Sequence, residues 1–220
     1  TTTITASQVG DGNYFAAAGV DRVLSVNKAT ATVALAGLTP TFDNTPKAAT
    51  ATTTPASLPV SITYEGSATP PTLGGSYAVV ATVNHANYVG TATGTLVIGK
   101  ANQTITFGPL SQKLFNDAPF TLNATATSAL GVSYASSNIN VATVTGNTVS
   151  IVGVGNTTLT ATQDGNGNFN PASATTQVLT VANALQTITF AAIPARTFVA
   201  NDTFTLGATA SSTLAVSYVS

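Results

Sequence analysis

The sequence contains no cysteine, methionine or tryptophan among its 220 residues, and its only histidine is His85. The lack of cysteine excludes disulfides, a thiol nucleophile and any metal site with cysteine ligands. One histidine also excludes a metal cluster built from several histidines of one copy. His85 follows Asn84 in a short polar stretch, and we interpret it as a solvated turn residue between two strands.

Charge is scarce as well. Charged residues make up 6% of the chain and the net charge is -1, against about 25% charged residues in ordinary soluble proteins. This balance gives no electrostatic footprint for nucleic acid or anionic lipid. The seven acidic residues are dispersed, so none forms the close pair that acid–base catalysis needs. No run approaches the ~18 apolar residues of a membrane span. We predict a protein that is not an enzyme and binds no cofactor.

Internal repetition is the strongest positive signal in the sequence. The stretch Gln103–Phe107 recurs as Gln186–Phe190, and the alignment then continues at an offset of 83 to 84 residues. Residues 1–29 match the other half of the same unit at an offset of 155, which places Gln8 on Gln163 and Tyr14 on Phe169. Self-similarity of this kind indicates a repeat architecture. The sequence therefore predicts a segment of a tandem array whose first and last residues lie inside repeats.

Apolar and polar residues alternate with period two throughout the chain, in runs rich in Val, Ile, Thr and Tyr. Such runs predict strands. The clearest are residues 30–35, 59–64, 76–83, 94–98, 148–152, 157–161 and 177–181. Gly146-Asn147 lies between two of these runs and predicts a tight hairpin. No stretch has helical periodicity, so the sequence predicts an all-β fold of sandwich type.

The repeat alignment divides the chain into four segments. Residues 1–27 are the C-terminal half of one sandwich, 28–101 a unit of different sequence, 102–184 a complete sandwich, and 185–220 the N-terminal half of another. Linkers of one to three residues predict an extended, semi-rigid rod. We expect the truncated half-domains to be completed by neighbouring copies or by adjoining sequence, because each would expose an unpaired edge.

Two resemblances cover nearly the whole chain. The unit that begins at Gln103–Phe107 and contains Val141–Val144 and Gly165–Pro171 resembles bacterial Ig-like surface repeats. The unit of residues 28–101 resembles the MBG-type domain of bacterial surface proteins. That second resemblance depends on Phe42–Lys47, Val60–Tyr64, Gly75–Val83, Ala86–Gly90 and Gly94–Ile98. Three departures from the usual MBG pattern are Phe42 and Asn44, in place of a tyrosine and a glycine, and His85, in place of an aspartate.

These families imply large adhesin-like proteins of the bacterial cell surface or of secreted fibres, with no catalytic residue. The most direct expectation is a stalk or fibre segment that acts as a spacer, with neighbouring repeats or copies of the same protein as end-to-end partners. The alternative is an adhesion module that binds host or matrix glycan or protein through loops of the MBG-type unit. For residues 28–101, a β-grasp arrangement is the alternative to a sandwich.

Two loops are the candidates for a metal site. Asp11 in Asp11–Asn13 and Asp164 in Asp164–Asn168 each offer one carboxylate for a weak calcium site, whereas calcium prefers six to eight oxygens. The other interpretation is a plain hairpin turn. Tyr14, Tyr88 and Phe169 each follow an asparagine. Because they recur at matching positions, we predict that they pack in a core or a turn rather than stack on sugar.

Overall fold

The computed structural model describes residues 1–219, and every regular element among them is a β-strand. None of these residues belongs to a helix of the length and apolar character that crossing a membrane requires. Contacts divide the chain into two compact units, one of residues 1–102 with 165–170, and the other of residues 103–164 with 171–220. The predicted all-β fold is confirmed.

The first unit contains nine strands. They are β1 (Thr2–Gln8), β2 (Ala17–Leu24), β3 (Ala29–Thr30), β4 (Thr32–Ala36), β5 (Thr50–Thr54), β6 (Val60–Tyr64), β7 (Gly75–Val83), β8 (Tyr88–Val89) and β9 (Thr91–Ile98). β1 and β2 form an antiparallel hairpin. β6, β7 and β9 form a three-stranded sheet in that order, and β4–β5 and β3–β8 form pairs.

The core of the first unit follows from the alternation along its central strands. Val79, Ala81 and Val83 of β7 are buried while the residues between them face outward. Leu96 and Ile98 of β9 are buried beside them. No helix packs on this sheet within residues 1–219, so the β-grasp alternative for residues 28–101 is not supported.

The residues of the second unit that the structure describes form eleven strands. They are β10 (Ile105–Thr106), β11 (Lys113–Leu114), β12 (Phe120–Thr121), β13 (Thr125–Ala126), β14 (Ser133–Ser136), β15 (Ala142–Thr145), β16 (Thr148–Ile151), β17 (Gly155–Thr162), β18 (Thr175–Ala182), β19 (Ile188–Phe190) and β20 (Ala208–Ala210). One sheet has the order β11-β18-β17-β14, and another has the order β12-β16-β15. β10–β13 and β19–β20 are separate antiparallel pairs.

The core of the second unit joins residues of both larger sheets. Leu159 and Leu179, on β17 and β18, are fully buried together with Val149 of β16. Burial of one leucine side chain contributes about 1.5–3 kcal/mol relative to leaving it exposed. At the turn between β15 and β16, Thr145 pairs with Thr148. Gly146 has a φ of 60°, as the first central residue of a primed hairpin turn requires. The predicted hairpin is confirmed.

Candidate functional site

Three turns of the chain share one hydrogen-bond pattern just before an asparagine–aromatic pair. In the first, Asp11 Oδ1 accepts the backbone N–H groups of Asn13 and Tyr14 at 2.8 and 3.0 Å. In the third, Asn166 Oδ1 accepts those of Asn168 and Phe169 at the same two distances. In the second, His85 Nδ1 accepts the N–H of Asn87 at 3.1 Å, just before Tyr88. A side chain that bonds the backbone two residues on is a turn-forming device.

The shared pattern gives a turn-forming role to Asp11, one of the two calcium candidates. Asp11 aligns with Asn166 at the offset of 155, whereas Asp164 aligns with Val9. A neutral amide makes the same two bonds as the Asp11 carboxylate, so the turn needs no ion. No group of three or more His, Cys, Asp or Glu residues that could hold a metal occurs within residues 1–219. Calcium at Asp11 or Asp164 stays a prediction.

The third turn, residues 165–170, belongs to the first compact unit although both flanking stretches belong to the second. The Phe169 ring packs against the core of the first unit and meets Phe42 edge to face, with ring centroids 5.3 Å apart and planes at 80°. That geometry is among the favourable ones for aromatic pairs. The aromatic residue that ends this turn is therefore part of the core of residues 28–101.

Backbone hydrogen bonds hold the third turn on both sides of Phe169. Ala101 donates its N–H to the Asn168 carbonyl and accepts the N–H of Asn170, both at 2.8 Å. Gly74 donates its N–H to Asn168 Oδ1 at 2.8 Å. A Cβ atom at position 74 would lie 2.5 Å from the Gly167 carbonyl oxygen. Position 74 must therefore be glycine for the turn to approach this closely.

Replacement of Gly74 by alanine should undock the third turn at a cost of about 1–3 kcal/mol, because an added methyl in a closely packed site forces the backbone apart. Hydrogen–deuterium exchange at the Ala101 and Asn170 amides measures the loss of the turn. Gly131→Ala is the matched control, since a Cβ there has no atom within 4 Å. Unchanged protection of both amides in Gly74→Ala would contradict the role of position 74.

The second turn accepts a backbone hydrogen bond from an alanine, as the third turn does. Ala29 donates its N–H to the Asn87 carbonyl at 2.9 Å, as Ala101 does to Asn168. Each alanine also forms a parallel bridge with the aromatic residue of its turn, Ala29 with Tyr88 and Ala101 with Phe169. The sequence already placed Tyr14, Tyr88 and Phe169 at matching positions after an asparagine. It did not show that His85 caps its turn as Asp11 and Asn166 do, because histidine differs from them chemically.

The second unit contains the counterpart of the Phe42 position. Phe42 donates its N–H to the Gly99 carbonyl at 2.8 Å, and Phe115 donates to the Ala182 carbonyl at 2.9 Å. By the same correspondence Ala184, two residues after Ala182, matches Ala101, two residues after Gly99. Phe42 is 6% exposed and Phe115 is 44% exposed. A cavity of about 450 Å³ lies beside Phe115, and its walls include Asn116, Val154, Ala184 and Leu185.

The segment after Phe42 is held by an ion pair between Lys47 and Asp43. Asp43 also accepts the backbone N–H of Thr45 at 2.9 Å and the Thr45 hydroxyl. The hydrogen bond from Lys47, followed by the bonds from Thr45, lowers the pKa of the Asp43 carboxyl from 3.8 to about 2. Asp43 thereby fixes the turn that follows the aromatic contact residue Phe42.

Replacement of Lys47 by alanine should raise the pKa of Asp43 from about 2 towards 3.8, while the two bonds from Thr45 still hold it below that value. A lowered pKa means that Asp43 contributes stability above about pH 3.8 and loses that contribution as the pH falls through about 2. Carbon-13 NMR titration of the carboxyl measures the shift directly. Lys28→Ala removes the same charge at a distant turn, where Lys28 Nζ donates to the His85 carbonyl, and it should leave the Asp43 titration unchanged. An Asp43 pKa that stays near 2 without Lys47 would contradict the assignment.

Residues 1–27 and 185–220 expose side chains whose repeat equivalents are buried in residues 102–184. Leu179 is fully buried, and its equivalent Leu24 is 47% exposed. Phe107 is 5% exposed, and its equivalent Phe190 is 48% exposed. The same relation joins Leu159 with Ile4, Val181 with Val26, and Ile105 with Ile188. The two outer segments thus present the two halves of one core.

Comparison with known proteins gives one family match. Residues 31–102 match the model of the MBG domain family, and no curated protein matches the chain significantly in sequence. Among solved structures, one similar chain is a SusE-like, surface-located polysaccharide-binding protein from the Bacteroides thetaiotaomicron heparin utilisation locus. It is 13% identical over 68% of this chain and 34% of its own length, with a TM-score of 0.27. A likeness at that level carries no functional argument, and the aligned part spans about a third of that protein. About a third of the present chain, residues 31–102, is therefore similar to MBG domains.

Proposed function

We propose that this chain is a structural segment of a bacterial cell-surface or extracellular protein, in which Ig-like repeats flank an MBG-type domain and add length as a stalk or fibre. The MBG match at residues 31–102 supports a surface or extracellular location. The recurrence of Gln103–Phe107 at Gln186–Phe190 supports length built from copies. The proposed domains are residues 1–27, 28–101, 102–184 and 185–220.

The observation that carries this proposal is a parallel pairing with the final strand of residues 102–184, which has a counterpart at the end of residues 28–101. In the second unit, β11 pairs in parallel with β18 through Lys113–Val181 and Leu114–Ala182. In the first unit, Thr41 forms a parallel bridge with Gly99, next to the end of β9. When such a domain is pulled from its two ends, parallel strands slide past each other and their hydrogen bonds are loaded together. That arrangement suits a protein that bears tension.

Carboxylates of the chain are used to shape turns, which supports a non-enzymatic role. Asp117 Oδ2 accepts the N–H of Leu114 at 2.9 Å, directly after β11. Asp11 and Asp43 accept backbone N–H groups of their own turns. Each of these carboxylates thus stabilises the local backbone.

Single-molecule pulling of the whole chain tests the proposal. We expect distinct unfolding peaks, and the one from residues 103–182 should release roughly 26–29 nm, since each residue spans at most about 3.3–3.6 Å. Phe115→Pro removes the N–H that Phe115, directly after β11, donates to the Ala182 carbonyl of β18, and it should lower that peak selectively. Extension without peaks would contradict a load-bearing role. Saturable glycan binding by the intact chain that loop variants of residues 28–101 abolish would favour the adhesion module instead.

A further inference from the structure

We propose that Asn166, in the third turn, is a site of spontaneous deamidation, where the side-chain amide is converted to a carboxylate. Asn166 is the only asparagine of the chain that is followed directly by glycine. Asn166 and Gly167 are both exposed to solvent, and they lie in the interior of the complete repeat rather than in either outer segment. The modification needs only water, so it is independent of the structural function proposed above.

The reaction has a nucleophile and an electrophile in neighbouring residues. The backbone nitrogen of Gly167 loses its proton to hydroxide and attacks Cγ of Asn166. A bond forms between that nitrogen and Cγ, the bond from Cγ to Nδ2 breaks, and ammonia leaves after taking a proton from water. Water then opens the cyclic imide at Cγ, which gives aspartate, or at the backbone carbonyl carbon, which gives isoaspartate. The balance is one water consumed and one ammonia released, without oxidation or reduction.

The backbone nitrogen of Gly167 is free to attack. Its N–H has no hydrogen-bond partner among residues 1–219, and glycine has no Cβ to crowd it. The next asparagine gives the contrast. Asn168 is followed by Phe169, whose bulky side chain stands beside the nitrogen and whose N–H already donates to Asn166 Oδ1 at 3.0 Å. Of the two asparagines that follow one another in this turn, only Asn166 therefore has an unhindered neighbouring nitrogen.

The turn also prepares the amide carbonyl of Asn166 for attack. Oδ1 accepts the backbone N–H groups of Asn168 and Phe169 at 2.8 and 3.0 Å. Negative charge builds on this oxygen when the nitrogen bonds to Cγ, and two fixed N–H donors stabilise such a charge. Nδ2, which must leave, has no hydrogen-bond partner within residues 1–219. The bonds that shape the turn thus favour its chemical change.

The two products should differ in their effect on the turn. Asp11 occupies the aligned position of the first turn and makes the same two hydrogen bonds with a carboxylate, so aspartate at position 166 keeps the turn. Isoaspartate inserts the Cβ atom of residue 166 into the main chain and removes the side chain that caps the turn. Phe169 then loses its place beside Phe42, where the rings are now 5.3 Å apart.

Incubation of the whole folded chain in isotopically labelled water, followed by peptide mass spectrometry, tests the site. We expect Asn166 to take up label faster than any other asparagine, and to yield both aspartate and isoaspartate. Gly167→Ala is the matched variant, because an added Cβ has no atom within 4 Å and the φ of Gly167 lies outside the left-handed region. It should preserve the fold and slow labelling of Asn166 by about tenfold or more, since the methyl disturbs the approach of the nitrogen.

Asn168 is the internal reference, since it lies in the same turn of the same molecule and needs no variant. Labelling of Asn166 no faster than that of Asn168, or equally fast in Gly167→Ala and wild type, would overturn the proposal.

Hydrogen–deuterium exchange at the Ala101 and Asn170 amides, which bond across the turn, separates the two products. Asn166→Asp should keep the protection of both amides, because a carboxylate makes the bonds of the turn. Chains that carry isoaspartate, separated by chromatography after incubation, should lose it. Equal protection in the two products would overturn the predicted release of Phe169.

Discussion

Replacement of Phe169 by alanine should lower the free energy of unfolding of the first unit by about 2–4 kcal/mol, although Phe169 lies more than sixty residues beyond residue 101 in sequence. The estimate starts from the ~3–5 kcal/mol of a fully buried phenylalanine and is reduced because Phe169 is only half-buried. It includes loss of the edge-to-face contact with Phe42. Hydrogen–deuterium exchange measures the effect strand by strand, and β6, β7 and β9 should lose protection while β15–β18 keep theirs.

Tyr14→Ala provides the matched control for Phe169→Ala. Tyr14 occupies the equivalent place in the first turn and is exposed, so at low protein concentration its removal should change stability by less than about 0.5 kcal/mol. Equal effects of the two substitutions would show that the turn sequence, rather than its docking on Phe42, determines stability. Loss of protection in β15–β18 rather than in β6–β9 would contradict the assignment of Phe169 to the core of the first unit.

The strands were predictable because a half-buried strand imposes period two on its own sequence. The run at 76–83 corresponds to β7 and the run at 177–181 lies within β18. The two-residue strands β11, β12 and β13 escaped prediction because a run so short shows no period. Their places are set by partners distant in sequence, as in the pairing of β10 with β13.

The capping role of His85 and the correspondence of Phe42 with Phe115 were harder to predict from the sequence than the asparagine–aromatic turns. The repeat alignment matches Asp11 with Asn166. The equivalent role of His85, which lies in a unit of different sequence, appears only in the geometry. Likewise, Phe42 and Phe115 lie in units of different sequence, and only their bonds to Gly99 and Ala182 relate them. The repeat alignment did predict that Phe169 packs rather than binds sugar, and the Phe42 contact agrees with that prediction.

Leu179→Ala and Leu24→Ala make the same chemical change at equivalent positions of the repeat, and we expect them to differ strongly. Leu179 is fully buried in the core of the second unit, so its truncation should cost about 2–5 kcal/mol through lost burial and the cavity left behind. Leu24 is half exposed, and its truncation in dilute protein should cost less than about 0.5 kcal/mol. Thermal unfolding followed by far-ultraviolet circular dichroism measures both.

Val178→Ala is the control for an exposed position, because Val178 lies on β18 beside Leu179 but is 57% exposed. We expect it to cost less than about 0.5 kcal/mol as well. Losses of equal size in Leu179→Ala and Val178→Ala would contradict the assignment of Leu179 to the core, because only a buried side chain leaves a cavity when it is truncated.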